Sequence, residues 1–449
     1  MQLNEPMIRI FRIKRFRSIG LSHFRTLACS EYEILGHNRK QHSTKADIKT
    51  DIKIENTIDW ALLSRHHQVS FDNRKVYVPW TEGVTSSFHH IWLRDHCQCE
   101  SCFHPITKQR LLNTFQIPET LRPENVVANP TEVKVVWNDG HLSAYPLDWL
   151  HFHSYQPVLE KMGVFPRTLW TGDEIAANPP KVSYDDVMDP NNHGGAVADW
   201  TRKIKTYGFC FIDRVPTTPA DTEALINRLS FPRNTHYGGF WDFTSNLAKA
   251  DTAYTDLALP LHTDGTYFTD PPGLQLLHCL NHQGTGGDSI LADGFKAARV
   301  LLEESPNHYK TLSRVRIPSH AAGNEDVCIT TSLARAVLNH DDSTGTLFQV
   351  RWNNDDRSTI DRWSDPDISV PEFYAAIRAW AEILTRPEIV YRFKLIPGQP
   401  VIFDNWRVLH GRTAFTGQRR LCGAYINMDD FESRFRLSNY GRSRVLMEL

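Results

Sequence analysis

The chain has 449 residues, of which 41% are hydrophobic and 11% aromatic, and its formal net charge at pH 7 is -2. This length is typical of two or three domains, and the apolar content is enough for a folded core. The small net charge excludes a general attraction to nucleic acid, and no apolar run approaches the roughly 20 residues of a membrane-spanning helix.

The N-terminal segment differs in composition from the rest of the chain. Six basic residues between Arg9 and Arg25 are interleaved with apolar residues, and Glu5 is the only acidic residue before Glu31. An arginine-rich, acid-poor segment that can form an amphipathic helix is typical of a mitochondrial transit peptide. The alternatives are a disordered basic arm and a cytoplasmic location. We assign residues 1–53 to a transit peptide and linker, and expect a mitochondrial protein.

A β-rich domain is predicted over residues 54–178. Runs rich in β-branched and aromatic residues predict strands at Lys75–Trp80, Phe88–Leu93 and Glu132–Trp137. The domain is expected to end near Asn178, where Pro179 and Pro180 interrupt the pattern.

This domain contains a candidate zinc site. Three of the chain's eight cysteines lie within six residues: Cys97, Cys99 and Cys102. Such a cluster indicates reduced thiols around a metal rather than a secreted disulfide framework. With His141, at a turn after a strand, they would form a closed tetrahedral zinc site with a structural role. His96 and His104 are near enough to compete with His141, and close cysteines can also be incidental.

Residues 179–449 are predicted to form a larger second domain. Short apolar runs predict strands at Gly208–Ile212, Leu274–Leu280, Ser289–Leu291, Phe348–Trp352, Tyr391–Ile396, Pro400–Phe403 and Leu421–Ile426. Apolar residues at three-to-four spacing predict helices at Ala220–Leu229, Phe295–Glu304 and Phe373–Leu384. We therefore expect a mainly β fold, a sandwich or barrel with flanking helices.

Two separated segments supply a candidate iron site. His262 and Asp264 are two residues apart, so in an extended segment they project from the same face. His410 follows a late strand and offers a third ligand. Two imidazoles and one carboxylate leave positions on an ion open for a co-substrate and oxygen, as in Fe(II) oxygenases. Taken alone, a His-x-Asp pair is more often a hydrogen-bonded surface pair.

A basic residue opens the apolar strand that follows His410. The guanidinium of Arg419 suits two-point hydrogen bonding to a dicarboxylate, so we expect it to bind the distal carboxylate of 2-oxoglutarate. Arg412 or Arg420 could serve instead, and Arg419 could also be a solvated residue at a strand end.

Four segments together resemble the family that contains γ-butyrobetaine hydroxylase and trimethyllysine dioxygenase: His262-Thr263-Asp264, Thr285–Ser289, Asp404–Arg412 and Arg419–Tyr425. The resemblance extends from about Trp92 to Leu437. It implies a double-stranded β-helix (jelly-roll) catalytic domain behind a small β-rich N-terminal zinc domain. It also supports Cys97, Cys99, Cys102 and His141 as the zinc ligands.

The resemblance further implies the cofactors. Fe(II) would be held by His262, Asp264 and His410, and Ser289 would place a hydroxyl on the 2-oxoglutarate carboxylate. Ascorbate would act as a reductant, molecular oxygen would be the second co-substrate, and the protein could form a homodimer.

The family binds a trimethylammonium group in an aromatic cage, since such a group cannot donate a hydrogen bond but is attracted by aromatic faces. The resemblance places four residues in this cage: Tyr237, Trp241, Tyr254 and Tyr425. Any one of them alone is more often simply a core residue.

Asp251 and Asn353 bear on the choice of substrate. A carboxylate at Asp251 would attract the α-ammonium of trimethyllysine and repel the carboxylate of γ-butyrobetaine, while Asn353 could bond a substrate carboxylate. We expect hydroxylation of the β-carbon of N6-trimethyllysine, the first step of carnitine biosynthesis. γ-Butyrobetaine hydroxylation is the alternative, and a non-enzymatic methyl-lysine reader is the second alternative.

Overall fold

The computed structural model describes residues 68–159, 165–192, 194–244 and 255–449. The predicted transit peptide and linker lie outside these residues, and so do Asp251 and Tyr254.

Two three-stranded antiparallel sheets form the N-terminal part. The first contains β1 (Ser70–Phe71), β2 (Lys75–Thr81) and β3 (Val84–His89), and the second contains β4 (Pro123–Ala128), β5 (Glu132–Trp137) and β6 (Leu142–Pro146). Every second residue of β2 and β5 is buried, as expected for strands with one face on a core. Val78, Val135, Trp137 and Trp149 are members of that core. The predicted strands at Lys75–Trp80 and Glu132–Trp137 are confirmed.

The predicted strand at Phe88–Leu93 is wrong. β3 ends at His89 and is followed by helix α1 (His90–Asp95). The buried residues of α1 are His90, Leu93 and Arg94, which have the three-to-four spacing of a helix face. An apolar run this short does not distinguish a strand from a helix. A second short helix, α2 (Leu147–Phe152), follows β6.

The larger part of the chain contains two facing sheets. The strands in this part of the chain are β7 (Lys181–Ser183), β8 (Phe209–Asp213), β9 (Phe240–Thr244), β10 (Leu259–His262), β11 (Leu274–Gln283), β12 (Ser289–Asp293), β13 (His320–Ala321), β14 (Ile329–Thr330), β15 (Leu338–His340), β16 (Leu347–Val350), β17 (Tyr391–Phe393), β18 (Val401–Asp404), β19 (Val408–Arg412) and β20 (Gln418–Ile426). Within the described residues, β13 pairs only with β14, and β15 only with β16, outside the two facing sheets. One sheet has the order β10-β19-β12-β17 and the other β7-β8-β18-β11-β20-β9.

Successive strands from β10 to β12 and from β17 to β20 alternate between these sheets. Antiparallel strands that alternate between two facing sheets form a jelly roll, or double-stranded β-helix. Phe211 and Phe403 of one sheet pack with Leu291 and Tyr391 of the other in a shared core. The predicted fold is therefore confirmed.

Helices cover the outer faces of the two sheets. They are α3 (Gly172–Ala177), α4 (Tyr184–Met188), α5 (Gly195–Tyr207), α6 (Pro219–Leu229), α7 (Gly294–Glu304), α8 (Pro306–Arg314), α9 (Val370–Thr385) and α10 (Met428–Leu446). α6, α7 and α9 confirm the three predicted helices to within a few residues. None of the helices in the described ranges has the length and apolar character needed to cross a bilayer.

A buried ion pair joins the turn before β19 to the end of β12, near the start of α7. The Arg407 guanidinium donates to both carboxylate oxygens of Asp293, at 3.1 and 2.7 Å, and both side chains are at most 1% exposed. Arg407 also donates to the carbonyls of Thr206 and Thr168, while Asp293 accepts from the backbone N–H groups of Trp170 and Phe295. The pair is thus hydrogen-bonded on every side, the condition under which buried charges are tolerated.

Arg407→Leu should be strongly destabilising, because it leaves the Asp293 carboxylate buried without a counter-ion. We expect the free energy of unfolding to fall by about 3–5 kcal/mol, measured by urea denaturation. Arg299→Leu is the control, since Arg299 forms an exposed pair with Glu303 within one helix. Equal losses in the two variants would contradict the role assigned to the buried pair.

Candidate active site

A single cavity opens between the two sheets, and nearly all the predicted site residues of the larger domain line it. It has a volume of about 1250 Å³, including its open mouth. The predicted residues in its wall are Tyr237, Trp241, His262, Asp264, Ser289, Asn353, His410, Arg419 and Tyr425. Residues predicted from separated segments therefore meet at one place.

The two histidines meet because their strands pair. β10 and β19 are antiparallel, and His262 lies directly opposite His410. Their ring centroids are 4.4 Å apart, and Asp264 Oδ1 lies 3.2 Å from His262 Nε2 and 3.6 Å from His410 Nε2. Ligand atoms that meet at right angles about 2.1 Å from one ion lie roughly 3 Å apart. The observed separations are close to that value.

Two side chains hold Asp264 in place. The buried amide of Asn405 accepts from the Asp264 backbone N–H at 2.7 Å and donates to the Asp264 carbonyl at 3.0 Å. The Tyr425 hydroxyl donates to Asp264 Oδ2 at 2.7 Å. Since Oδ2 is bonded to tyrosine, Oδ1 is the oxygen that faces the imidazoles.

The hydrogen bonding of the histidines suits metal binding. His262 Nδ1 lies 2.7 Å from the Pro260 carbonyl, a contact that requires a proton on Nδ1 and leaves Nε2 to face a metal. Although burial opposes it, the hydrogen bond and the attraction to Asp264 raise the pKa of His262, so a metal bound at Nε2 would displace a proton from this ring. Burial lowers the pKa of His410 to about 3, so this ring is neutral. Although burial opposes it, attraction to His410 and His262 and the Tyr425 hydrogen bond lower the pKa of Asp264, which stays a carboxylate. Two imidazoles and one carboxylate form a donor set that fits Fe(II).

The candidate residues for binding 2-oxoglutarate lie near the C-terminal end of β19 and the start of β20. Ser289 of β12 pairs with Arg412 of β19. Arg412 donates to the carbonyls of Leu257 and Thr255, and Arg420 is bonded to the Asp242 carboxylate. Arg419 is 4% exposed and lines the cavity. Arg412 also lines the cavity, but its guanidinium already donates to two backbone carbonyls, and Arg420 does not line it. Of the three arginines considered for the dicarboxylate, Arg419 fits best.

Two of the predicted cage aromatics lie side by side in the cavity wall. The rings of Trp241 and Tyr425 have centroids 5.6 Å apart at an interplanar angle of 69°. Gly423 makes room for this arrangement, because a Cβ there would lie 2.7 Å from the Trp241 ring and 1.9 Å from the Leu276 carbonyl oxygen. The Tyr237 hydroxyl lies 3.2 Å from that of Tyr267. Tyr254 lies outside the described residues.

Asn353 is positioned by a short backbone pairing next to the metal ligands. Thr263 N–H donates to the Trp352 carbonyl at 2.7 Å, and Trp352 N–H donates to the Thr263 hydroxyl at 2.9 Å. The Asn353 side-chain oxygen accepts from Asp355 N–H at 3.0 Å. The group that remains for a ligand is the Asn353 amide nitrogen, which is a donor.

The predicted zinc ligands also come together. His141 Nε2 lies 3.3 Å from the sulfur of Cys97 and 3.6 Å from those of Cys99 and Cys102. In a tetrahedral site, Zn–S bonds of about 2.3 Å and Zn–N bonds of about 2.0 Å put sulfur and nitrogen roughly 3.6 Å apart. The donor set therefore fits zinc.

The two competing histidines are engaged elsewhere. His96 Nδ1 contacts the Trp92 carbonyl, and His104 Nδ1 accepts from the backbone of Ile106 and Thr107.

Comparison with known families agrees with this geometry. Residues 171–425, more than half of the chain, match the taurine catabolism dioxygenase TauD, TfdA family, and residues 67–151 match the γ-butyrobetaine hydroxylase-like N-terminal family. The chain belongs to the TauD, TfdA family of dioxygenases. It is accordingly a 2-oxoglutarate-dependent dioxygenase, and this family uses Fe(II) and 2-oxoglutarate.

Several relatives of this dioxygenase align along most of its length. The trimethyllysine dioxygenase of Meyerozyma guilliermondii is 46% identical, over 84% of this chain and 97% of the relative. The mitochondrial trimethyllysine dioxygenase of Bos taurus is 39% identical, over 78% and 82%. A γ-butyrobetaine dioxygenase of a Pseudomonas species is 31% identical, over 80% and 92%.

Several residues of this dioxygenase site were not predicted. Phe243, Tyr267 and Gln275 line the cavity, and Asn405 secures Asp264. Asn405 lies in the Asp404–Arg412 segment that was singled out, but only the structure shows its bonds to Asp264. Tyr425 was expected only in the cage, and it also bonds the carboxylate of Asp264.

Asn405→Ala should weaken metal binding without changing a ligand, because the Asp264 backbone loses both bonds that fix it. We expect the affinity for Fe(II), measured by anaerobic titration calorimetry, to fall roughly 10- to 100-fold. Asn339→Ala is the control, since the Asn339 amide donates to the Ala336 carbonyl away from the cavity. Unchanged affinity in Asn405→Ala would show that Asp264 does not need this support.

Proposed function

We propose that this dioxygenase hydroxylates the β-carbon of N6-trimethyllysine, the first step of carnitine biosynthesis. The main support is that the cage residues Trp241, Tyr237 and Tyr425 line the same cavity as the three candidate iron ligands. A cage for a quaternary cation beside an oxidising metal is what hydroxylation of a trimethylammonium compound requires. Relatives named trimethyllysine dioxygenase from fungi and animals support the same substrate.

The protein's part in the reaction is binding and orientation. His262, Asp264 and His410 would hold Fe(II), and Arg419 with Ser289 would bind 2-oxoglutarate. Bound iron, with 2-oxoglutarate and oxygen, supplies the oxidising chemistry, and ascorbate would serve as a reductant. The cage fixes the trimethylammonium end, so that the position of the substrate's other end decides which carbon faces the metal. Asn353 would donate its amide N–H to the substrate carboxylate.

Asp251 would select trimethyllysine over γ-butyrobetaine. Its carboxylate can attract an α-ammonium, which only trimethyllysine has, and repel a carboxylate.

γ-Butyrobetaine hydroxylation is the second candidate, supported by the Pseudomonas relative. A methyl-lysine reader would have no use for the iron ligands.

The rest of the chain would support this centre. We place a transit peptide and linker at residues 1–53, a zinc-binding domain at 54–178 with Cys97, Cys99, Cys102 and His141 as ligands, and the catalytic domain at 179–449. The basic N-terminal segment and the mitochondrial animal relatives support a mitochondrial location. We also propose that the protein forms a homodimer.

The central test is incubation of the enzyme with Fe(II), 2-oxoglutarate and an equimolar mixture of trimethyllysine and γ-butyrobetaine. We expect mass spectrometry to find more hydroxytrimethyllysine than carnitine, and succinate in an amount equal to the total hydroxylated product. His410→Ala should abolish both products, because two ligands hold Fe(II) poorly. Predominant carnitine formation would replace the proposed substrate with γ-butyrobetaine.

Asp251→Asn keeps the size of the side chain and removes its charge. Losing a charge-assisted bond to the α-ammonium should reduce kcat/KM for trimethyllysine by about 10- to 100-fold. The value for γ-butyrobetaine should rise or stay level, since a repulsion is relieved. An unchanged ratio of the two values would show that Asp251 does not bind the ammonium.

The zinc proposal predicts one equivalent of zinc in the purified protein, measured by elemental analysis. Cys102→Ser should lose it, because an alcohol is a far poorer zinc ligand than a thiolate. The control is Cys328→Ser, which changes an exposed cysteine outside the cluster. Protein with reduced thiols and no zinc would refute the proposal.

A further inference from the structure

One cavity residue has an unexplained hydrogen-bonding group. Gln275 is only 5% exposed, and its side-chain oxygen Oε1 is buried with no hydrogen-bond partner among the residues that the structure describes. A buried acceptor without a donor is costly. Because Gln275 lines the cavity, its missing partner can come from a molecule bound there.

The strands place Gln275 beside the aromatic cage. On β11, Leu274 and Leu276 belong to the core on the outer side of the sheet, while Gln275 and Leu277 line the cavity. Gln275 lies directly opposite Tyr425 of β20, so the two side chains are neighbours on the cavity face. Tyr425 in turn contacts the Trp241 ring. On its other side, Gln275 lies opposite Phe403 of β18, whose ring packs 4.7 Å from that of His410.

The expected occupants differ in what they offer to an acceptor. 2-Oxoglutarate, as a dianion, brings only further acceptors. A trimethylammonium group has no N–H, but its charge is spread over methyl groups whose C–H bonds are weak donors to oxygen. A carbonyl dipole aimed at such a group attracts the cation without adding a second charge beside Asp264. The indole nitrogen of Trp241 is also buried without a partner, but as a donor it cannot stabilise a cation.

We propose that the side-chain carbonyl of Gln275 is part of the trimethylammonium site and strengthens its preference for a cation over a neutral group of the same shape. This inference rests on the proposed substrate class. It adds a polar wall to a site otherwise recognised by aromatic faces.

The test compares two ligands that differ only in charge. One is trimethyllysine, and the other is the same amino acid with the quaternary nitrogen replaced by carbon. Dissociation constants are measured by calorimetry in the presence of 2-oxoglutarate and a redox-inactive divalent metal. Gln275→Met keeps the length of the side chain and removes the oxygen, and we expect it to reduce the preference for the cation roughly three- to tenfold. Gln275→Glu, which restores an oxygen, should recover or exceed the original preference.

Gln349→Met is the matched control, since Gln349 is a buried glutamine outside the cavity. The preference of this variant for the cationic ligand should equal that of the wild type. An unchanged preference for the cation in Gln275→Met would overturn the inference. If that variant also had lower thermal stability, the result would point instead to a water that bridges Gln275 and Trp241. Weaker 2-oxoglutarate binding alone would also overturn it, because the amide nitrogen would then face the co-substrate. If the wild-type enzyme binds both ligands equally, the proposed substrate class itself fails.

Discussion

His262 and His410 face each other because β10 and β19 pair in one register, and most of the site follows from that pairing. β19 is shared, since its other edge pairs with β12 and sets Ser289 opposite Arg412. One strand therefore positions both His410, a candidate iron ligand, and Arg412 beside Ser289, the candidate co-substrate residue. A slip of one residue would turn the inward side chains of a strand to its outer face, so the register cannot drift without losing the site.

The turn that precedes β19 secures this register. Within four residues it contains Asn405, which holds the backbone of Asp264, and Arg407, which is buried against Asp293. Asp293 ends β12 and accepts from the first turn of α7. Charges buried this deeply are costly unless every hydrogen-bonding group is used. The same turn thus ties the backbone of Asp264, a candidate iron ligand, and the end of β12 to the start of β19.

The sequence predicted those features that depend on spacing or on residue chemistry. Residues at i and i+2 are always near one another along the chain, so His262 and Asp264 could be paired from the sequence, although β10 ends at His262 and Asp264 lies in the turn that follows. Helices α6, α7 and α9 were likewise visible from their apolar period. The strand predicted at Phe88–Leu93 was wrong, because a run of six residues with four bulky apolar side chains is compatible with either a strand or a helix.

Features that depend on tertiary contacts could not be predicted. Asn405 acts through a backbone 141 residues away in sequence, and nothing in its local sequence indicates that partner. The double role of Tyr425 also required the structure, since the resemblance placed only its ring. Gln275 lies within the apolar strand predicted at Leu274–Leu280, and only the pairing of β11 with β20 shows that it neighbours Tyr425 in the cavity wall.

The co-substrate and the substrate would have to share one cavity. Arg419 lies at a buried position in its wall, whereas Asn354 and Asp355 are exposed. A dicarboxylate bound to Arg419 and a long amino acid held by the predicted cage residues would therefore compete for the same space. Excess substrate should then compete with the co-substrate for entry, and the velocity should decline at high substrate concentration until 2-oxoglutarate is raised to match.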